Sequence, residues 1–504
     1  MSRLRPFLLA AALSLLPPLG AAAETPAELI GRESVLLARL EQLREIGRLY
    51  GKDFWPGWDL LSTPIAVHDQ GRLAVLIQHP DPPAHFVRVQ TPLVSTPVYV
   101  STNTAGLMAN TALPLNGVVT SMVTYQTLMA TPAEDALAVC LHELFHAYRQ
   151  RVAPEKFGDI LVVLFGRYPE FSFDNNAWLS LEAALLDQAL EVRELRKARA
   201  FLLRFLAVRA VRRRLLNPEQ IRFERGEEVN EGLSQYIEYR FLSRPLKGYH
   251  GLPALVRLDP NFSGFRRNRQ LLRRRLNPLT DLAAAGDTLR QRLYPLGMAQ
   301  AVLLDRLRPR WKEEFERTPK FLDELLAEAV SFPADNVSIQ AYYQRSLQAL
   351  GINWDRIQEL VRKEMAARTA ARKALLEGLF PPGTGELEVD ISAVRPRGFH
   401  LHGVNPVSLL QLPDGRVLAR FLVIDFGVAE ECALRVVNGA TLYDPARTTY
   451  LLSLPAEQLP GPDSSFPLEV QTRTFNVHVE KGTLEAGPNR RLIRCQPVSG
   501  PPGT

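Results

Sequence analysis

His142 and His146 stand four residues apart with a glutamate between them, in the run His142-Glu143-Leu144-Phe145-His146. On an α-helix, residues i and i+4 lie one turn apart on the same face. Both imidazoles can then reach one tetrahedral cation, and zinc takes such nitrogen ligands. Glu143 projects beside them, where a carboxylate can take a proton from water activated by the ion. The chemistry on offer is metal-assisted hydrolysis. The competing reading is a pair of hydrogen-bonded histidines next to a solvated glutamate.

The flanks say what positions these side chains. Pro132-Ala133-Glu134-Asp135 reads as a helix start, with proline and acids in the first turn. Leu137, Cys140, Leu141, Leu144 and Phe145 recur at helical spacing, which predicts one buried face. Ala147-Tyr148-Arg149-Gln150 continues the helix, and Pro154 follows its expected end.

A catalytic zinc usually has three protein ligands plus water. The stretch Ala147-Tyr148-Arg149-Gln150-Arg151-Val152 contains neither glycine nor histidine, so a third ligand must come from further on. Two segments offer a glutamate. In Leu181-Glu182-Ala183-Ala184-Leu185-Leu186, Glu182 lies among apolar neighbours and needs a partner if buried. The other is Val229-Asn230-Glu231-Gly232-Leu233-Ser234-Gln235-Tyr236.

The HELFH motif followed by the NEGLSQY stretch resembles the gluzincin metallopeptidases, the broad group of thermolysin and the zinc aminopeptidases. The resemblance covers these two segments and the chain between them. It implies a zincin-like fold, Zn²⁺ held by His142, His146 and Glu231, and Glu143 as general base. It also implies a downstream tyrosine or histidine that stabilises the tetrahedral intermediate. Tyr294 and Tyr236 are the candidates, and packing is their competing role. Glu182 remains open as a hydrogen-bond partner of a zinc histidine or as the ligand itself. Glu224, Glu227 and Glu228 read as a solvated first turn, with the alternative that one of them backs a metal ligand. The chain departs from the family pattern in two places. Gln235 stands where an aspartate would orient a zinc histidine, and an amide raises imidazole basicity less. The stretch Gly106-Leu107-Met108-Ala109-Asn110 lacks the glutamate of the aminopeptidase motif, so aminopeptidase activity is not supported.

Residues 1–23 read as a signal peptide: Arg3 and Arg5, an apolar run from Phe7 to Leu19, then Ala21-Ala22-Ala23. The expected address is periplasmic or secreted, without a stable membrane span. Three cysteines make no disulfide scaffold. Cys140 reads as a small buried residue. Cys432 and Cys495 could pair in an oxidising compartment, which spacing cannot show. The formal net charge is +6, with arginines bunched at 193–214 and 266–275. Leu195, Ala198, Leu202, Phe205, Val208 and Val211 form an apolar stripe in the first bunch, so its arginines read as a solvated face. Attraction to an anionic envelope surface is the functional alternative. No nucleic-acid motif accompanies the charge, and no nucleic-acid partner is expected.

The patterning predicts an α+β chain in three parts after the signal. Residues 24–130 form an N-terminal α/β lobe. It has an amphipathic helix over 26–50, a hairpin of Pro64–His68 with Leu73–Ile77, and further strands at Val94–Val100 and Val118–Tyr125. Val118–Val123 is the candidate edge for pairing with an extended substrate, or else an ordinary interior strand. Residues 131–380 form the mainly helical, zincin-like catalytic domain, in which Tyr294-Pro295 opens an apolar helix. Pro381–Gly385 is the linker to a sandwich-like all-β domain at 386–504. There His400 and His402 share one strand face, although two histidines alone do not make a metal site. The resulting expectation is a zinc-dependent metallopeptidase acting on a peptide or protein substrate. The alternatives are a zincin-like envelope protein with a binding or assembly role and no catalysis, and a zinc hydrolase of non-peptide amides.

Overall fold

A computed structural model describes residues 25–498, apart from 108, 244–248, 266–268, 282–285, 287, 349–351, 396–399, 403–408, 421–423, 429–431 and 437–438. The expected signal peptide lies outside the described residues. The architecture mixes α and β. A six-stranded sheet comes first, a helical middle follows, and two further sheets close the chain.

The first sheet has six strands: β1 Ile65–Asp69, β2 Leu73–Ile77, β3 Val87–Val89, β4 Val98–Ser101, β5 Thr111–Leu115 and β6 Val118–Thr124. Their order is β3-β4-β2-β1-β6-β5. The predicted hairpin is present as β1 and β2, with Ile65 opposite Ile77. Both strands are buried on both faces. Ile65, Val67, Val75 and Ile77 join the main core, while Ala66, Ala74 and Leu76 pack on Phe86, Leu107 and Met122. The candidate edge Val118–Val123 is an interior strand, because β6 pairs in parallel with β1 and antiparallel with β5. The edge is β5, which packs against the histidine-bearing helix. Asn116 and Gly117 turn β5 into β6 with φ of 47° and 77°, the left-handed pair that a tight hairpin needs. Two buried histidines fasten β5 at its ends. His68 Nε2 donates to the Ala109 carbonyl at 3.0 Å, and His79 Nε2 to the Leu115 carbonyl at 3.0 Å.

The predicted helix over 26–50 is broken at Arg32-Glu33 into Pro26–Gly31 and Ser34–Phe54. Ala133–Val152 is the histidine helix. Pro218–Ser243, the Glu231 helix, opens on a reciprocal cap in which Asn217 and Gln220 each accept the other's backbone N–H at 2.9 Å. The next long helix, Leu289–Leu307, begins before Tyr294-Pro295 and holds Pro295 inside it.

Glycines set how closely these helices approach. A Cβ on Gly232 would stand 2.6 Å from Gly297 Cα, and one on Gly297 would stand 2.2 Å from the Glu228 carbonyl oxygen. The Glu231 helix and the Leu289–Leu307 helix therefore touch backbone to backbone, and only glycine fits both positions.

The arginine-rich helix Leu195–Arg212 does not keep all its charges in water. Arg209 and Arg212 are fully buried. Arg209 reaches Glu182 and Glu228, and Arg212 reaches Glu182 and Glu224, at 2.5–3.0 Å. Glu224, Glu227 and Glu228 are buried as well, not the solvated turn their acidity suggests. Buried charges persist only when paired and hydrogen-bonded, and each carboxylate here has an arginine.

The C-terminal sheets have seven and five strands and share one core. Val417–Arg420 belongs to the larger sheet and Ile424–Val428 to the smaller. The larger sheet rests on the helical middle, where Gln411 Nε2 donates to the Gly166 carbonyl at 3.0 Å and Tyr443 packs on Phe165. Among the described residues, no helix is long and apolar enough to cross a membrane.

Gly297→Ala tests the close approach. The added methyl clashes with a backbone carbonyl that cannot swing aside, and overpacking of this kind costs about 1–3 kcal/mol. A urea or thermal melt should show that loss, although alanine is the better helix former in isolation.

Candidate metal centre

His142 and His146 come from the histidine helix and Glu231 from the helix packed against it. The two Nε2 atoms lie 2.9 Å apart, and each is 3.5 Å from Glu231 Oε2. Among the described residues these three form the one cluster of histidine, cysteine and carboxylate side chains that could hold a metal ion.

The far side of each imidazole is already engaged. His142 Nδ1 is 2.6 Å from Glu238 Oε1, and His146 Nδ1 is 2.9 Å from Asn230 Oδ1. Both oxygens are acceptors, so each Nδ1 carries the hydrogen. In the neutral imidazoles each Nε2 then has its lone pair, and the two lone pairs converge with a carboxylate oxygen. Three acceptors aimed at one point are a donor set for a cation, and two imidazoles with one carboxylate suit zinc. Ser234 Oγ, 3.2 Å from His146 Nδ1, completes the backing.

Arginines hold the carboxylates. Arg290 donates to Glu231 Oε1 at 2.8 Å, which leaves Oε2 for the histidines. Its Nε forms an ion pair with Glu227 at 2.9 Å, and its remaining nitrogen donates to the Tyr294 hydroxyl. Arg275 joins Glu238 at 2.6 Å to Asp135 at 2.7 Å. Burial would raise the Glu231 pKa, but His146 and Arg290 outweigh it and hold the carboxyl well below the usual range. Burial likewise opposes ionisation of Glu238, and the hydrogen bond from His142 with the charge of Arg275 brings its pKa below the ordinary value. Glu227 is displaced the other way, raised by burial and the neighbouring Glu231 charge. The His142 imidazolium is penalised by burial, but hydrogen bonds to Glu231 and Glu238 push its pKa up to about 10.

Glu143 is 7% exposed and has no hydrogen-bond or ion-pair partner among the described residues. Burial raises its pKa above the ordinary carboxylate value, against the pull of His142 and His146. A buried, unengaged carboxyl beside two metal-ligand candidates is suited to moving a proton.

The structure brings together His142, Glu143, His146, Glu231 and Tyr294. It does not bring Glu182 to them, because both its oxygens are taken by Arg209 and Arg212. Gln235 does not orient a histidine either, and its buried Oε1 has no hydrogen-bond partner among the described residues. Tyr236 is turned into the core, donating to Asp305 at 2.8 Å and packing on Trp55 and Trp311. Glu238, Asn230 and Arg290 were not among the expected site residues. The side chains of His400 and His402 lie outside the described part of the structure.

Compared with protein-family models, curated proteins and solved structures, the chain matches none.

Two measurements follow from the backing. Glu238→Ala removes the acceptor behind His142, and loss of such a partner lowers metal affinity about 10–100-fold. Competition with a chromogenic chelator reads that change. A cation must also displace the proton from His142, which is held below pH ~10. Apparent zinc affinity should therefore rise about tenfold per pH unit between about pH 6 and 8.

Proposed function

We propose that the chain is a zinc-dependent hydrolase of amide bonds, with a peptide or protein as substrate. The observation that carries this reading is the convergence of His142, His146 and Glu231 beside an unengaged Glu143. A metal-binding site needs the first three residues and has no use for the fourth. Zinc, when bound, supplies Lewis acidity toward a carbonyl oxygen and toward water.

The chain's own residues do the rest. Glu143 takes the proton of the attacking water and hands it to the leaving amine. Its raised pKa suits a group that must both accept and release a proton near neutrality. Glu238, Asn230 and Arg290 keep the three ligand side chains in place through the cycle. Tyr294, held beside Glu231 by Arg290, is the candidate donor to the oxygen on which negative charge develops. The outer edge of β5 has no strand partner among the described residues and packs on the histidine helix. An extended peptide can add there as a further strand. Pro114 interrupts the donors along that edge, so pairing would lean on the remaining residues of Thr111–Leu115. The resemblance to gluzincins favours the same roles for His142, Glu143, His146 and Glu231. The signal-like N-terminus points to action in a periplasm or outside the cell.

Glu143→Gln tests the reading. We expect the variant to keep wild-type zinc content and to lose hydrolysis of a denatured-protein or fluorogenic-peptide library by about 10²–10⁴-fold, the usual contribution of a general base. Wild-type chain that holds zinc and cleaves nothing in those libraries would instead favour a binding or assembly role.

A further inference from the structure

Cys432 and Cys495 are far apart in the chain and meet in the fold. Cys432 begins the strand Cys432–Val436 of the five-stranded sheet, and Cys495 ends the strand Arg490–Cys495 of the seven-stranded sheet. Cys432 lies opposite Val479, and Cys495 lies opposite Gly482. Between Val479 and Gly482 stand only Glu480 and Lys481, which carry the chain from one sheet to the other. Gln496 N–H closes that corner by donating to the Lys481 carbonyl at 2.8 Å. Both cysteines are almost fully buried, at 2% and 1% exposure, in the core shared by the sheets. There the two are free thiols close enough to influence one another.

Two buried cysteines that share one core between two sheets have few uses. A nucleophilic or redox-sensing thiol is partly exposed and has a depressed pKa. Here the neighbouring Cys432 and then burial push the Cys495 thiol upward instead. Neither residue belongs to the metal cluster. Cys140 is a different case, alone on the histidine helix and pushed up to about 12 by burial.

We propose that Cys432 and Cys495 form a disulfide that joins the two C-terminal sheets. The oxidant is a disulfide compound, either a small molecule such as oxidised glutathione or a protein thiol oxidant. One cysteine, as thiolate, attacks that disulfide and releases one thiol. The second cysteine then displaces the other thiol, and the S–S bond between the sheets forms as the oxidant's own S–S bond is fully reduced. Two protons and two electrons leave the pair, and the oxidant takes both. Attack needs the thiolate, which the closed core disfavours, so the bond is made as this region folds. Once made, it is shielded from reductants. It closes a loop of about sixty residues, long enough for a substantial effect on the unfolded chain.

The test uses the full chain produced in an oxidising secretory compartment, denatured in the presence of iodoacetamide, digested and mapped by mass spectrometry. We expect alkylated Cys140 and one linked pair of peptides containing Cys432 and Cys495. Reduction in denaturant before alkylation should free both cysteines, and the chain refolded in the reduced state should melt several degrees lower than the oxidised one. Cys432→Ala and Cys495→Ala should each leave the other cysteine open to alkylation and make the midpoint insensitive to reductant. Cys140→Ala should leave the link intact. Alkylation of both Cys432 and Cys495 in unreduced wild type would overturn the proposal, as would a link from either to Cys140. The wild-type map decides the matter even where a single variant does not fold.

Discussion

The site depends on what lies behind the two imidazoles. His142 and His146 can aim lone pairs at a common point only because each Nδ1 hydrogen is taken from the rear, by Glu238 and Asn230. That requirement sets the packing of two helices. His142 meets Glu238 while His146 meets Asn230 and Ser234, so sequence order along one helix is reversed along the other. The helices must run antiparallel, in one register, with Glu231 facing the gap. The third helix obeys the same demand. Gly232 and Gly297 let it come close enough for Arg290 to seize one oxygen of Glu231 and leave the other free.

The second constraint is electrostatic. The Glu231 helix buries Glu224, Glu227, Glu228 and Glu238, with Glu231 only slightly more open. Five carboxylates on one internal helix would repel one another and resist desolvation. Each is paired with an arginine drawn from the surrounding helices: Arg209, Arg212, Arg275 or Arg290. The basic stretches of the chain are thus partly internal counter-charges. Removing one partner from such a set is far more damaging than its net contribution suggests, by about 3–5 kcal/mol, because the other charge stays buried.

Much of this was legible in the amino-acid order, and the misses have physical reasons. The histidine helix announces itself because i, i+4 spacing and a buried stripe coincide. The β1–β2 hairpin follows from alternation around Gly71. Edge and interior strands share that alternation, and Thr111–Leu115, interrupted by Pro114, does not announce itself as a strand, so nothing in the order of residues covers the edge of β6. Glu238, not Gln235, backs the histidine: seven residues is nearly two helical turns, which returns Glu238 to the face of Glu231. Arg209 and Arg212 continue the apolar stripe of Leu202 and Phe205 at steps of four and three. A charge in such a stripe signals a buried ion pair, but its partners sit on other helices, where one-dimensional spacing cannot reach. Arg290 is of the same kind, since its role arises from a helix contact that two glycines allow.

The central claim is that His142, His146 and Glu231 form one cation site. Equilibrium zinc binding to the purified chain, with metal content counted by atomic spectroscopy, tests it most directly, with Glu231→Ala and Glu182→Ala beside the wild type. One zinc per wild-type chain is expected, the same for any Glu182→Ala protein that folds, and loss of tight binding in Glu231→Ala. A wild-type chain that takes up no zinc after reconstitution would contradict it, as would a Glu231→Ala chain that binds zinc as tightly as the wild type.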